Sequence, residues 1–133
     1  MIKRTLSRQE QIARATDPTF ALIAEETRLR NLGSDFRARA DIALYALDKA
    51  EQIRLSGVDE VNCPEPLGRL YAEARRYEDA AGDVHDRIVA TPATTIAGIV
   101  AKLEYDGDDS ELAQSVIKDL QRMAAAKDGE AQS

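Results

Sequence analysis

The 133-residue chain reads as an all-α protein, and three observations carry that reading. Seven apolar residues, Leu67, Leu70, Ala74, Tyr77, Ala81, Val84 and Ile88, recur at alternating three- and four-residue steps, the spacing of a heptad seam that a partner helix must cover. β-branched residues seldom alternate with polar ones, as a half-buried strand would require. Alanine supplies 22 residues while Gly and Pro contribute 7 and 4, a balance that favours closely approaching helices over turn-rich sheets. The predicted architecture is a long antiparallel helical hairpin with two shorter helices, a coiled-coil-like bundle.

Residues 1–16 form a basic arm, with Lys3, Arg4, Arg8 and Arg14 against Glu10. Ser7-Arg8-Gln9-Glu10 has the form of a capping box, in which Ser and Glu satisfy each other's backbone amides at a helix start. A short helix and a frayed arm both fit this segment. Asp17-Pro18 is a stronger start, because Asp accepts from free amides and Pro needs no partner at the first helical position. From there the spacing predicts one long helix to Ser56, capped by Gly57. Its seam is Leu29, Leu32, Phe36, Ala40, Ala43, Leu47 and Ala50, and Gly33-Ser34 is its weak point.

Pro64 and Pro66 force a connection over 57–66. A second helix follows from about Pro66 to Ala90, carries the heptad seam and ends at Thr91-Pro92. The hydroxyls of Thr94 and Thr95 suit an N-cap for a third helix to about Tyr105, with Ile96, Ile99, Val100 and Leu103 as its apolar face. Asp106 to Ser110 closes that helix and opens a fourth, to about Lys127, with an apolar face of Leu112 or Ala113, Val116, Ile117, Leu120, Met123 and Ala124. Domain organisation is thus the basic arm, one helical domain over 17–127 and a mobile tail over 128–133. The first helix would run about 60 Å and the second about 37 Å, so one cannot cover the other. That mismatch predicts a homodimer along the long seam.

Composition narrows function. The net charge of −6 disfavours non-specific attraction to nucleic-acid phosphates or anionic membranes. The longest apolar run, Ile96 to Ala101, is far short of the roughly 20 residues a membrane helix needs. One cysteine, Cys63, rules out an internal disulfide and fits a reducing compartment, so a cytoplasmic protein is expected.

Candidate chemistry is sparse. His85-Asp86 invites comparison with metal-dependent hydrolysis, but a chain with one His lacks the imidazoles that such a centre needs. A di-iron carboxylate bundle fails similarly, since Gly82 stands where its Glu-x-x-His motif needs Glu. His85 is expected to be structural and solvent-exposed. Asp106, Asp108, Asp109 and Glu111 could offer oxygens to a hard cation, yet their spacing is not an EF-hand and helix capping explains them better. Cys63 has no His, Lys or Arg beside it to make it nucleophilic. Arg28, Arg30, Arg37 and Arg39, interleaved with acids, read as a solvated helix face. No cofactor and no metal are expected.

Asp17-Pro18-Thr19-Phe20-Ala21-Leu22-Ile23 and Thr91-Pro92-Ala93-Thr94-Thr95-Ile96-Ala97-Gly98-Ile99, with Leu103 and Tyr105 following, resemble a group of short, functionally uncharacterised bacterial helical proteins. The resemblance implies a fold and no activity. It draws attention to the Thr-rich turn, where Gly98 permits close helix approach.

By elimination the sequence predicts an interaction or regulatory protein that offers helical faces, the seam Leu67 to Ile88 above all, to itself and to a protein partner. The first alternative is a nucleic-acid-associated regulator using Lys3, Arg4 and Arg8 on phosphates, with the Arg28 to Arg39 face behind them. The second is a metal-dependent enzyme whose site forms between subunits at Asp106 to Glu111.

Overall fold

A computed structural model describes residues 6–106 and 109–132, with side chains as far as residue 128. Described residues form α1 (Arg8–Thr16), α2 (Pro18–Tyr45), α3 (Lys49–Leu55), a 3₁₀ turn at Glu60–Asn62, α4 (Leu67–Ala90), α5 (Ile96–Tyr105) and α6 (Ser110–Gln132). No strand occurs among them, and α2 and α4 pack closely as the arms of a helical hairpin. The chain gathers into two compact units, one continuous over Glu26–Asp83 and one that joins the chain up to Glu25 to everything from Val84 onward.

In the continuous unit, Gly33 is buried where α2 meets α4. A Cβ there would stand 3.2 Å from Glu78 Cγ and 3.4 Å from the Ala74 carbonyl oxygen. The residue that looks weakest in the sequence therefore lets two backbones approach, and α2 runs unbroken through it. Ala40, Leu55, Leu67 and Tyr71 form the core, and Phe36 stacks on Tyr77 with ring centroids 5.7 Å apart.

The long first helix breaks elsewhere. It stops at Tyr45, and Asp48 starts α3 by accepting from the Glu51 amide at 2.9 Å. Once α2 has ended, the Asp48 side chain stabilises the restart by satisfying an amide that no preceding turn reaches. The new direction brings Leu55 into the core and leaves Leu47 and Ala50, predicted seam residues, at the surface. Ser56, not Gly57, is the C-cap of α3.

Two arginines hold the 3₁₀ turn. Arg37 donates through Nε and Nη2 to both carboxylate oxygens of Glu78 at 2.6 and 3.1 Å, and through Nη1 to Glu60 at 2.8 Å. Arg75 reaches Glu60 at 3.1 Å and Asp59 at 3.0 Å. Glu60 is held below the usual carboxylate range because these guanidinium bonds outweigh the upward push of burial.

In the discontinuous unit, Ser7 caps α1 by accepting from the Glu10 amide at 3.2 Å, as the capping-box spacing predicts. Helix α5 packs on both α1 and α6. One cluster of the unit's apolar core is Ala93, Ile99 and Val116, with Met123 half-buried against them, and Ala13, Leu22, Val84, Ile88 and Leu112 are buried in the same unit. Helix α6 continues to Gln132, beyond the end predicted at Lys127. Ala124 to Ala126 carry it on, and Gly129 costs only about 1 kcal/mol.

The heptad seam is core within one chain. Leu67, Ala74, Ala81, Val84 and Ile88 are buried, and Leu70 and Tyr77 are half-buried. The seam is therefore not a free face for a second chain, and helix-length mismatch no longer argues for a dimer along it. Among the described residues, no helix is long and apolar enough to cross a membrane.

Candidate functional site

Residues 91–95 join α4 to α5, and Pro92 bars helical hydrogen bonding through the middle of the connection. Its free backbone groups must find other partners, and buried side chains provide them. Asp17, 2% exposed, accepts through Oδ2 from the Thr94 amide at 3.0 Å, the Thr95 amide at 2.9 Å and the Thr95 hydroxyl at 2.7 Å. Its Oδ1 accepts from the Thr19 amide at 3.0 Å. Thr95 in turn caps α5 by accepting from the Gly98 amide at 3.0 Å. Burial pushes the Asp17 carboxyl up, but the Thr19 amide and the Thr95 hydroxyl and amide outweigh it and hold the group below its ordinary value. Gly98 admits this carboxylate, since a Cβ there would collide with Asp17. The close approach foreseen at Gly98 is thus by a side chain rather than by a helix.

The other flank is held by a lysine with no solvent exposure. Lys102 Nζ donates to the Thr91 carbonyl at 2.8 Å, to Ser115 Oγ at 2.9 Å and to Asp119 Oδ2 at 2.7 Å. An ammonium has three protons, and all three are used. Asp119 Oδ2 also accepts from the Ala93 amide at 3.2 Å, while Oδ1 accepts from Arg122 at 3.0 Å. Ser115 Oγ donates to the Val89 carbonyl at 2.8 Å. Such a group survives burial only because each charge and proton is matched.

These polar residues occupy the inward positions of α5 and α6, and the apolar residues predicted to fill them lie outside. Of the predicted α5 face only Ile99 is buried; Ile96 is 62% exposed, Val100 44% and Leu103 47%. On α6, Leu112 and Val116 are buried, whereas Ile117 is 53% exposed and Leu120 47%. Ile99 and Val116 mark the line of contact between the two helices. Lys102 meets Ser115 and Asp119 on one side of that line. By helical phase, Ile96, Val100 and Leu103 lie across Ile99 from Lys102, and Ile117 and Leu120 lie across Val116 from Ser115 and Asp119. Both apolar stripes therefore emerge on the same, solvent side.

No protein-family model, curated protein or solved structure matches the chain.

The other candidates are accounted for by structural contacts. His85 is a quarter exposed, not solvated as expected, because its Nε2 lies 2.8 Å from Asp109 Oδ2. Asp109 Oδ1 accepts from the Glu111 and Leu112 amides at 2.9 and 3.2 Å, capping α6. Chiefly the Leu112 amide, opposed by partial burial and aided by His85, holds Asp109 below its usual value. The described residues contain no group of three His, Cys, Asp or Glu able to hold a metal; Asp108 lies outside them. Cys63 is free and half-buried, its Sγ 3.7 Å from the Asp59 carbonyl oxygen. Lys3 and Arg4 lie outside the described residues, and Arg8 is exposed. The Arg28 to Arg39 face is not simply solvated: Arg30 pairs with Glu26 at 3.1 Å, Arg37 is held by Glu78 and Glu60, and Arg39 lies over the Phe36 ring.

Proposed function

We propose that this protein is a cytoplasmic adaptor or regulatory protein that works by protein–protein contact, and that the exposed apolar face of α5 and α6 is its contact surface. One observation carries the reading: the two helices turn a saturated polar set inward and the apolar residues Ile96, Val100, Leu103, Ile117 and Leu120 outward. Residues that could have stabilised the fold by burial sit in water, where each forgoes about 1.5–3 kcal/mol available to a fully buried side chain. Clustered apolar exposure of this kind is characteristic of interaction surfaces. The polar clamp supports the role, because it fixes α5 on α6 without using the outer face.

The test is substitution on that face alone. Val100→Glu and Leu120→Glu place charges on residues that are already solvated, so circular dichroism and melting temperature should stay close to wild type. Association measured by affinity purification from native cells at low salt should fall at least tenfold. Unchanged association in both variants, at unchanged fold, would overturn the assignment.

A further inference from the structure

We infer that α1 is a releasable strap on α5, latched by the buried carboxylate of Asp17, and that it comes away while the Glu26–Asp83 unit stays folded. The inference stands apart from the contact reading above.

Helix α1 has little of its own to keep it in place. It is 9 residues long, whereas an isolated helix needs roughly 12 to 15 to persist in water. Its helical state therefore depends on docking. Ala13 is its one buried residue, and Ile12, its only large apolar side chain, is 53% exposed. A single alanine methyl removes little apolar surface from water. Glu10 is half-buried, and Arg14 lies 5.2 Å from the centre of the Phe20 ring, a surface contact of small worth.

Asp17 supplies what these contacts do not. Its backbone amide donates to the Ala13 carbonyl at 2.8 Å and closes α1. Its side chain accepts at the same time from the Thr19 amide at the start of α2 and from Thr94 and Thr95 at the start of α5. Three helix ends thus meet at one carboxylate. No charged side chain is among these donors, which are amides and a hydroxyl, so removing the charge of Asp17 weakens all of its bonds together. The continuous unit has no such dependence. Its core of Ala40, Leu55, Leu67 and Tyr71 is apolar, and Glu60 and Glu78 make their ion pairs at half-exposed positions, where each is worth little. The two units therefore differ in what opens them.

Trypsin at neutral pH reads the latch in the full chain, since Arg14 lies within α1 and Arg76 within α4 in the other unit. Asp17→Asn should accelerate cleavage after Arg14 at least tenfold over wild type, with cleavage after Arg76 unchanged and most of the helical spectrum kept. Cleavage after Arg14 at the wild-type rate, or equal acceleration at both sites, would overturn the inference. The wild-type chain gives a second reading without substitution. On acidification past 3.8, the ordinary value of the Asp17 carboxyl, hydrogen-exchange protection corrected for intrinsic rates should be lost over α1 before it is lost over Glu26–Asp83. Loss over both at the same pH would overturn it as well.

Discussion

Two buried residues decide how the Thr91 to Thr95 connection is held. Asp17 takes four donors, and truncating it strands the Thr94 and Thr95 amides at the start of α5. Asp17→Ala should lower unfolding free energy by about 2–4 kcal/mol in urea titration, since bonds to a charged acceptor are the strong ones and the freed amides stay partly shielded. Lys102→Met leaves the Asp119 carboxylate in a dry site without its ammonium and should cost about 3–5 kcal/mol. Adding Asp119→Leu to Lys102→Met should cost less than the sum of the two single changes, because the orphaned charge is gone; a double-mutant cycle in the same titration reads this directly. Arg122, exposed at its end of the network, is expected to matter much less.

Among the helices, the interface of α2 and α4 depends on a missing side chain. Gly33→Leu must displace Glu78, which Arg37 holds, or the Ala74 backbone, which cannot move alone. It should lower the denaturation midpoint by the equivalent of about 1–3 kcal/mol despite leucine's better helix propensity. Much at this level was legible in the sequence: the ends of α4, the Thr95 cap and the Ser7 capping box all follow from local chemistry. The break before Asp48 was legible too, because Asp48-Lys49-Ala50-Glu51 pairs an N-cap acid with an acid three residues on. The continuing seam of Leu47 and Ala50 masked it. The clamp was less legible. Lys102 follows Ile99 by three positions and Ser115 and Asp119 share the phase of Leu112, so helical phase places all of them inward, but a reading that sorts by hydrophobicity assigns that interior to Val100, Ile117 and Leu120. Tertiary hydrogen bonding overrode the binary pattern, and only the fold supplies the partners across 17 or 77 positions of sequence.

For the molecule as a whole, these carboxylates set the response to acid. Asp17, Asp109 and Glu60 all lie below their ordinary values of 3.8, 3.8 and 4.5 in the folded chain. The unfolded chain therefore binds more protons through this range, so stability rises with pH there. Their contribution is complete above about pH 5 and is lost as pH falls through 4.5 and then past the depressed folded values. Urea midpoints should accordingly be flat from pH 6 to 8 and drop steeply below about pH 4.5, with Asp17→Asn showing a shallower drop. Helical class and hairpin connectivity were readable from periodicity, but the division into units was not, since it depends on which distant segments meet. That division also gives the chain a history. Glu26–Asp83 is contiguous and has every residue it needs while α5 and α6 are still being synthesised, whereas Asp17 must wait for Thr95, and Lys102 for Asp119, before either finds its match. Asp17 is therefore translated well before the residues that secure it, and it lacks its long-range donors until Thr94 and Thr95 have been made.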